Sequence, residues 1–131
     1  MTTTIDPARM AQELLATAAE LLSDRRGGPT TAGRRRGASL ALRTALEIAV
    51  GSTLDAAVPR LADTTMRAKM LCLRSYAAPD LARRANSLWA HLCLACHYHH
   101  YELGPTDTQV RAWHAEVGDL IEAFHRGLPA A

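Results

Sequence analysis

Pro79-Asp80-Leu81-Ala82-Arg83-Arg84-Ala85-Asn86-Ser87-Leu88-Trp89-Ala90-His91-Leu92-Cys93-Leu94-Ala95-Cys96-His97-Tyr98-His99-His100-Tyr101-Glu102-Leu103-Gly104 is the stretch on which the reading of this chain turns. Proline suits the first turn of a helix, where its missing N–H has no partner to lose, and Gly104-Pro105 supplies a left-handed cap followed by a residue that cannot continue. The spacing predicts one helix of about 25 residues, roughly 37 Å long. At 100° per residue, Leu81, Ala85, Leu88, Leu92, Cys96, His99 and Leu103 fall on one stripe, with Trp89 and Cys93 at its shoulder. That stripe predicts burial against a core. His97, Tyr101 and Leu94 point the opposite way, and Arg84, His91, Tyr98 and Glu102 share a flank.

Upstream, Asp6-Pro7 reads as an N-cap followed by a first helical residue, and Met10, Leu14, Ala18, Leu21 and Leu22 continue at helical spacing to about Asp24. Residues 25–37 hold four glycines, one proline and five of the fifteen basic residues, with no acid between Asp24 and Glu47. Such a stretch predicts a flexible basic loop. Arg34, Arg35 and Arg36 are there the candidate contacts for phosphate in nucleic acid; the alternative is a solvated connection, since no aromatic residue is interleaved to stack bases. A second helix is expected from Ala38 or Ser39 to Ala57, stopped by Pro59, with Gly51 marking a close helix contact or a bend. A short third helix follows Asp63 or Thr64, burying Met66, Met70, Leu71 and Leu73. After Pro105, Thr106 with Gln109 spells a capping box for a last helix with Val110, Trp113, Val117, Leu120, Ile121 and Phe124 inward.

The fold class is therefore all-α, an up-and-down helical bundle of four main helices plus one short helix, formed as a single domain over 1–131. At 131 residues, with 48% hydrophobic and 5% aromatic content, the chain can bury a real core and favours helix over sheet. The net charge of +2 points to no partner. No run is long and apolar enough for a membrane span, and the first residues lack an export signal, so no membrane association, a cytoplasmic location and reduced cysteines are expected.

Cys93-Leu94-Ala95-Cys96-His97 matches the C-x-x-C-H pattern of covalent haem attachment, which takes place outside the cytoplasm. Cys93 with His97, and Cys96 with His100, stand one helical turn apart as metal ligands, with His114 on the last helix as a third donor. Thiols and imidazoles on a helix flank also serve plain packing and hydrogen bonding, and the main expectation is no cofactor. His99, in mid-stripe, either bonds a partner as a structural residue or acts as a base or ligand contact in a pocket.

Arg84 and His91 are separated by six residues on one flank, and Arg-x6-His resembles the Arg-x(4–6)-His pattern of HEPN domains, small all-α bundles of bacterial toxin and antiviral systems. The resemblance implies an Arg and a His that cleave RNA without metal, often across a dimer; Ala85 stands where that family usually has a polar residue. Residues 65–73 and 95–106 also resemble segments of small actinobacterial proteins with no attached activity, and direct attention to Arg67, His99, Glu102 and Trp113 as binding residues. The sequence is read first as a cytoplasmic binding or regulatory module, homodimeric through an apolar helix face, with nucleic acid or another protein as partner. The alternatives are a HEPN-type ribonuclease and a haem- or metal-binding bundle.

Overall fold

The second helix turns out to be the hub. In the computed structural model, which describes residues 6–23, 30–97 and 104–126, the chain folds as α1 (Pro7–Leu22), α2 (Thr31–Ala57), α3 (Met66–Cys72), α4 (Pro79–His97) and α5 (Asp107–His125). Single 3-10 turns at Pro59–Leu61 and Leu73–Ser75 flank α3, and no strand occurs among the described residues.

Local chemistry sets most of the helix ends. The Asp6 carboxylate accepts from the Ala8 N–H at 3.1 Å ahead of Pro7. Thr106 accepts from Gln109 N–H at 3.1 Å while its own N–H donates to the Gln109 side chain at 2.9 Å, the reciprocal box the sequence spells. At α3 the cap is Thr65, one or two residues beyond the expected Asp63 or Thr64, because the Thr65 hydroxyl meets the Ala68 N–H at 3.2 Å. Leu71, expected inside, is 52% exposed, since only the Met70 and Leu73 side of this short segment meets the core. α1 ends at Leu22 with Ser23 as its cap, close to the expected Asp24.

Part of the expected basic loop is helix. α2 starts at Thr31, seven residues before the expected Ala38, and carries Arg34, Arg35 and Arg36 in its first turns. Thr30 caps it through the Gly33 N–H at 3.1 Å. Arginine is a good helix former, and an interior glycine costs about 1 kcal/mol, which tertiary anchors can outweigh. Those anchors are present: Arg36 donates to the Cys96 carbonyl at 3.2 Å, and Arg35 lies 3.9 Å from the Asp107 carboxylate. Gly37 also has a packing reason, because a Cβ there would stand 3.3 Å from the Leu21 side chain of α1. The remainder of the loop, residues 25–29, lies outside the described residues.

α2 packs against α1, α3, α4 and α5. Its buried residues, Ala38, Ser39, Ala41, Leu42, Ala45, Leu46, Ala49, Val50, Gly51 and Leu54, wrap most of its circumference instead of forming one stripe. Contacts fix the directions. α1 and α5 are antiparallel, with Leu15 beside His114 and Leu22 beside Arg111. α4 is antiparallel to α2, with Cys96 beside Arg36 and Trp89 beside Glu47. The result is an up-and-down bundle in which α3 bridges the end of α2 and the start of α4. There Lys69, only 7% exposed, donates to Asp55 at 3.1 Å, and Asn86 of α4 donates to the Met70 carbonyl at 2.9 Å.

α4 ends its described course at His97, and residues 104–106 are not helical. Its stripe is placed as expected, with Ala85, Leu88, Leu92 and Cys96 buried and Leu94 72% exposed. Tyr98, His99, His100, Tyr101, Glu102 and Leu103 lie outside the described residues. Thr106→Ala removes the hydroxyl half of the α5 box and is expected to lower unfolding free energy by about 1 kcal/mol; urea titration followed by helix circular dichroism checks it.

Candidate functional site

α4 presents a different chemistry on each flank. Toward α2, the Trp89 indole N–H donates to the Glu47 carboxylate at 2.9 Å. Further along the same seam are Cys93, partly buried, and Cys96, buried. The positive charge of Arg43 acts on both sulfurs, yet its own buried Nε has no hydrogen-bond partner. Burial pushes both thiols above their usual value, and Arg43 offsets part of that rise. These are guarded thiols, protonated near neutrality. Of the expected site residues, Arg36 joins this seam through the Cys96 carbonyl.

Toward α5, the His91 ring stacks on Trp113, with centroids 6.2 Å apart and planes within 13°. One turn and more away, Arg84 Nε lies 4.0 Å from Glu116. Both members of the expected Arg–His pair thus meet α5, and so does Trp113, while the pair itself remains spread along α4 over about 10 Å. His91 is exposed and the Arg84 side chain is 42% exposed.

The other expected residues scatter. Arg67 lies on the exposed side of α3. Arg34 donates to Thr31 at 3.4 Å, and Arg35 faces Asp107. A hydrogen bond from Arg111, aided by its charge and by Arg35 and Arg34, holds the Asp107 carboxyl below the usual carboxylate range. Arg111 also donates to the Leu22 carbonyl at the end of α1. Of the alternative metal ligands among the described residues, His97 is exposed, and His114 Nε2 donates to the Leu15 carbonyl at 3.0 Å on the α1 side. Among the described residues no three His, Cys, Asp or Glu side chains converge on a metal position. His99, Glu102 and His100 lie outside them.

A groove between α1, α2 and α5 carries no sequence motif that announces it. Two adjoining depressions of about 220 and 540 Å³ share Ala8, Ile121 and His125. The smaller has an apolar floor of Ala11, Ala49 and Phe124 beside Ser52 and Thr53; the larger is rimmed by Asp6, Arg9, Gln12 and Glu122 and opens over Gly118. Small residues keep it open, and a Cβ added at Gly118 would meet nothing within 4 Å. Glu122 and His125 stand three apart on α5, so one turn presents both to the rim.

No family model, curated protein or solved structure matches this chain. The buried thiols carry a stability consequence. A thiol whose folded pKa lies above its unfolded value, near 9.0, contributes fully below that value, and the contribution is lost as pH rises through the folded pKa. Unfolding free energy should therefore fall through a window that opens near pH 9.0. The Cys93→Ser/Cys96→Ser variant should show a shallower fall in denaturant titrations across that window.

Proposed function

We propose that this protein is a helical binding module that takes a small amphipathic amine in the groove between α1, α2 and α5, acting in the cytoplasm without catalysing a reaction. The observation that carries the reading is the adjoining of two depressions, one of about 220 Å³ over an apolar floor of Ala11, Ile121 and Phe124 and one of about 540 Å³ with a rim of mixed polar groups. The rim favours a cation. Arg9 is paired with Glu13 at 3.2 Å and Asp6 caps α1, so the Glu122 carboxylate is the rim group left to receive it. An aryl or alkyl body on Phe124 with an ammonium group at Glu122 satisfies both halves.

Arg35 and Arg36, two candidates for phosphate contact, make intramolecular contacts with Asp107 and the Cys96 carbonyl, which weakens the nucleic-acid version of this module.

Titration of the labelled chain with phenethylamine, read by amide NMR, should shift Ala8, Gly118 and Ile121, with phenylacetate giving no such shifts. Gly118→Leu should leave the fold intact and weaken amine binding at least tenfold, because its side chain would project into the open groove. Equal shifts with amine and carboxylate, or full binding by Gly118→Leu, would remove the reading.

The second reading is a HEPN-type ribonuclease, favoured by the placement of Arg84 and His91 along one α4–α5 seam with His91 exposed. It requires RNA cleavage in the presence of a metal chelator that disappears in both Arg84→Ala and His91→Ala. Intact RNA after incubation with the unaltered protein would dispose of it.

A further inference from the structure

Cys93 and Cys96 stand one turn apart near the end of α4, on the side that faces Arg36, Arg43 and Glu47 of α2. Helical geometry separates such Cα atoms by about 5 Å, inside the span a disulfide bridges. Their Cβ atoms, about 5–6 Å apart in a regular helix, must approach to about 4 Å for the bond to form. The turn that has to tighten is the last described one of α4, where the Cys96 carbonyl accepts from Arg36 of another helix.

We propose that Cys93 and Cys96 are a reversible thiol–disulfide modification site, with Cys93 exchanging with a low-molecular-weight disulfide and Cys96 closing an intrahelical bond. The exposure pattern sets the order. Cys93 is partly open and Cys96 is 7% exposed, so the oxidant reaches Cys93 first. Cys93 releases its proton to solvent and its sulfur attacks one sulfur of the oxidant; the oxidant's S–S bond breaks and one small thiolate leaves and is protonated. Cys96 then gives up its proton and attacks the Cys93 sulfur, expelling the second small thiol. Two protein thiols are oxidised and one small disulfide is reduced to two thiols.

Arg43 fits this chemistry. Its buried, unpartnered Nε and its charge beside both sulfurs favour each thiolate at the moment it forms, while burial keeps the resting thiols protonated. Closure draws Cys96 toward Cys93 and pulls its carbonyl away from Arg36, so oxidation loosens the end of α4 from α2. Cys72 on α3 serves as an internal comparison, a partly buried thiol with no cysteine one turn away.

The test is incubation of the full chain with excess oxidised glutathione, acid quenching, alkylation and peptide mass spectrometry. The unaltered protein should lose two hydrogens from the peptide that contains Cys93 and Cys96, and dithiothreitol should restore both alkylation sites. Cys96→Ser should accumulate glutathione on Cys93, and Arg43→Gln should slow that first exchange by about threefold. Both thiols still alkylated after Cys72 has taken up glutathione, glutathione retained on Cys93 with Cys96 free, or a link between two copies would each overturn the proposal. The unaltered protein decides the matter alone, so a variant that fails to fold cannot shelter it.

Discussion

A helix covered on most of its circumference must satisfy its polar groups through its neighbours, and α2 is such a helix. Leu42, Leu46 and Leu54 are fully buried, each removing about 1.5–3 kcal/mol of apolar exposure from water. Ser39, also fully buried, returns its hydroxyl to the Arg35 carbonyl at 2.8 Å. At the edges of the covered arc, Arg36 reaches the end of α4, Glu47 takes the Trp89 N–H and Asp55 takes Lys69. The positions of the other four helices follow from which side of α2 they cover.

Arginines complete the frame from the helix ends. The last carbonyls of a helix lack intrahelical donors and carry its negative pole, so a guanidinium there meets both needs. Arg111 serves α1 in this way and also bridges to Asp107 at the start of α5 at 2.7 Å, while Arg36 of α2 reaches across to the Cys96 carbonyl of α4. The Arg111–Asp107 pair is exposed and contributes little alone. Its value is geometric, because one side chain fixes the end of α1 against the beginning of α5.

What was legible in the sequence was what local chemistry decides. Asp6-Pro7, Pro79 and the Thr106–Gln109 box mark their helices through contacts spanning three residues or fewer, and the α4 stripe follows from a one-sided pattern. The start of α2 was not legible. Its glycines and arginines read as loop because the bonds that hold them come from Cys96 and Asp107, sixty or more residues away. The central role of α2 was hidden for a related reason: the spacing of Leu42, Leu46, Ala49, Val50 and Leu54 marks one inward face, but not the further burial of Ala38, Ser39, Ala41 and Ala45 against neighbouring helices. The groove left only faint traces, since Ala8, Ala11, Ala49 and Gly118 act through the side-chain volume they lack. Of the candidate site, Arg84, His91, Trp113 and the thiol pair could be named in advance, but the division of α4 between two seams depends on where α2 and α5 sit.

That division bears on whether the two proposed sites communicate. Arg43, beside the thiols, and Thr53, beside the groove floor, are ten residues apart on α2, roughly 15 Å along its axis. Sites at that distance with no shared partner ordinarily behave additively. Coupling would require α2 to have two arrangements that both sites distinguish, and a helix packed by α1, α3, α4 and α5 has little room for a second. The end of the described course of α4 is differently placed, for Cys93 is only partly covered there and Arg36 of α2 binds the Cys96 carbonyl. Oxidation at Cys93 and Cys96 should therefore alter that end and the surface next to it while leaving amine affinity in the groove unchanged.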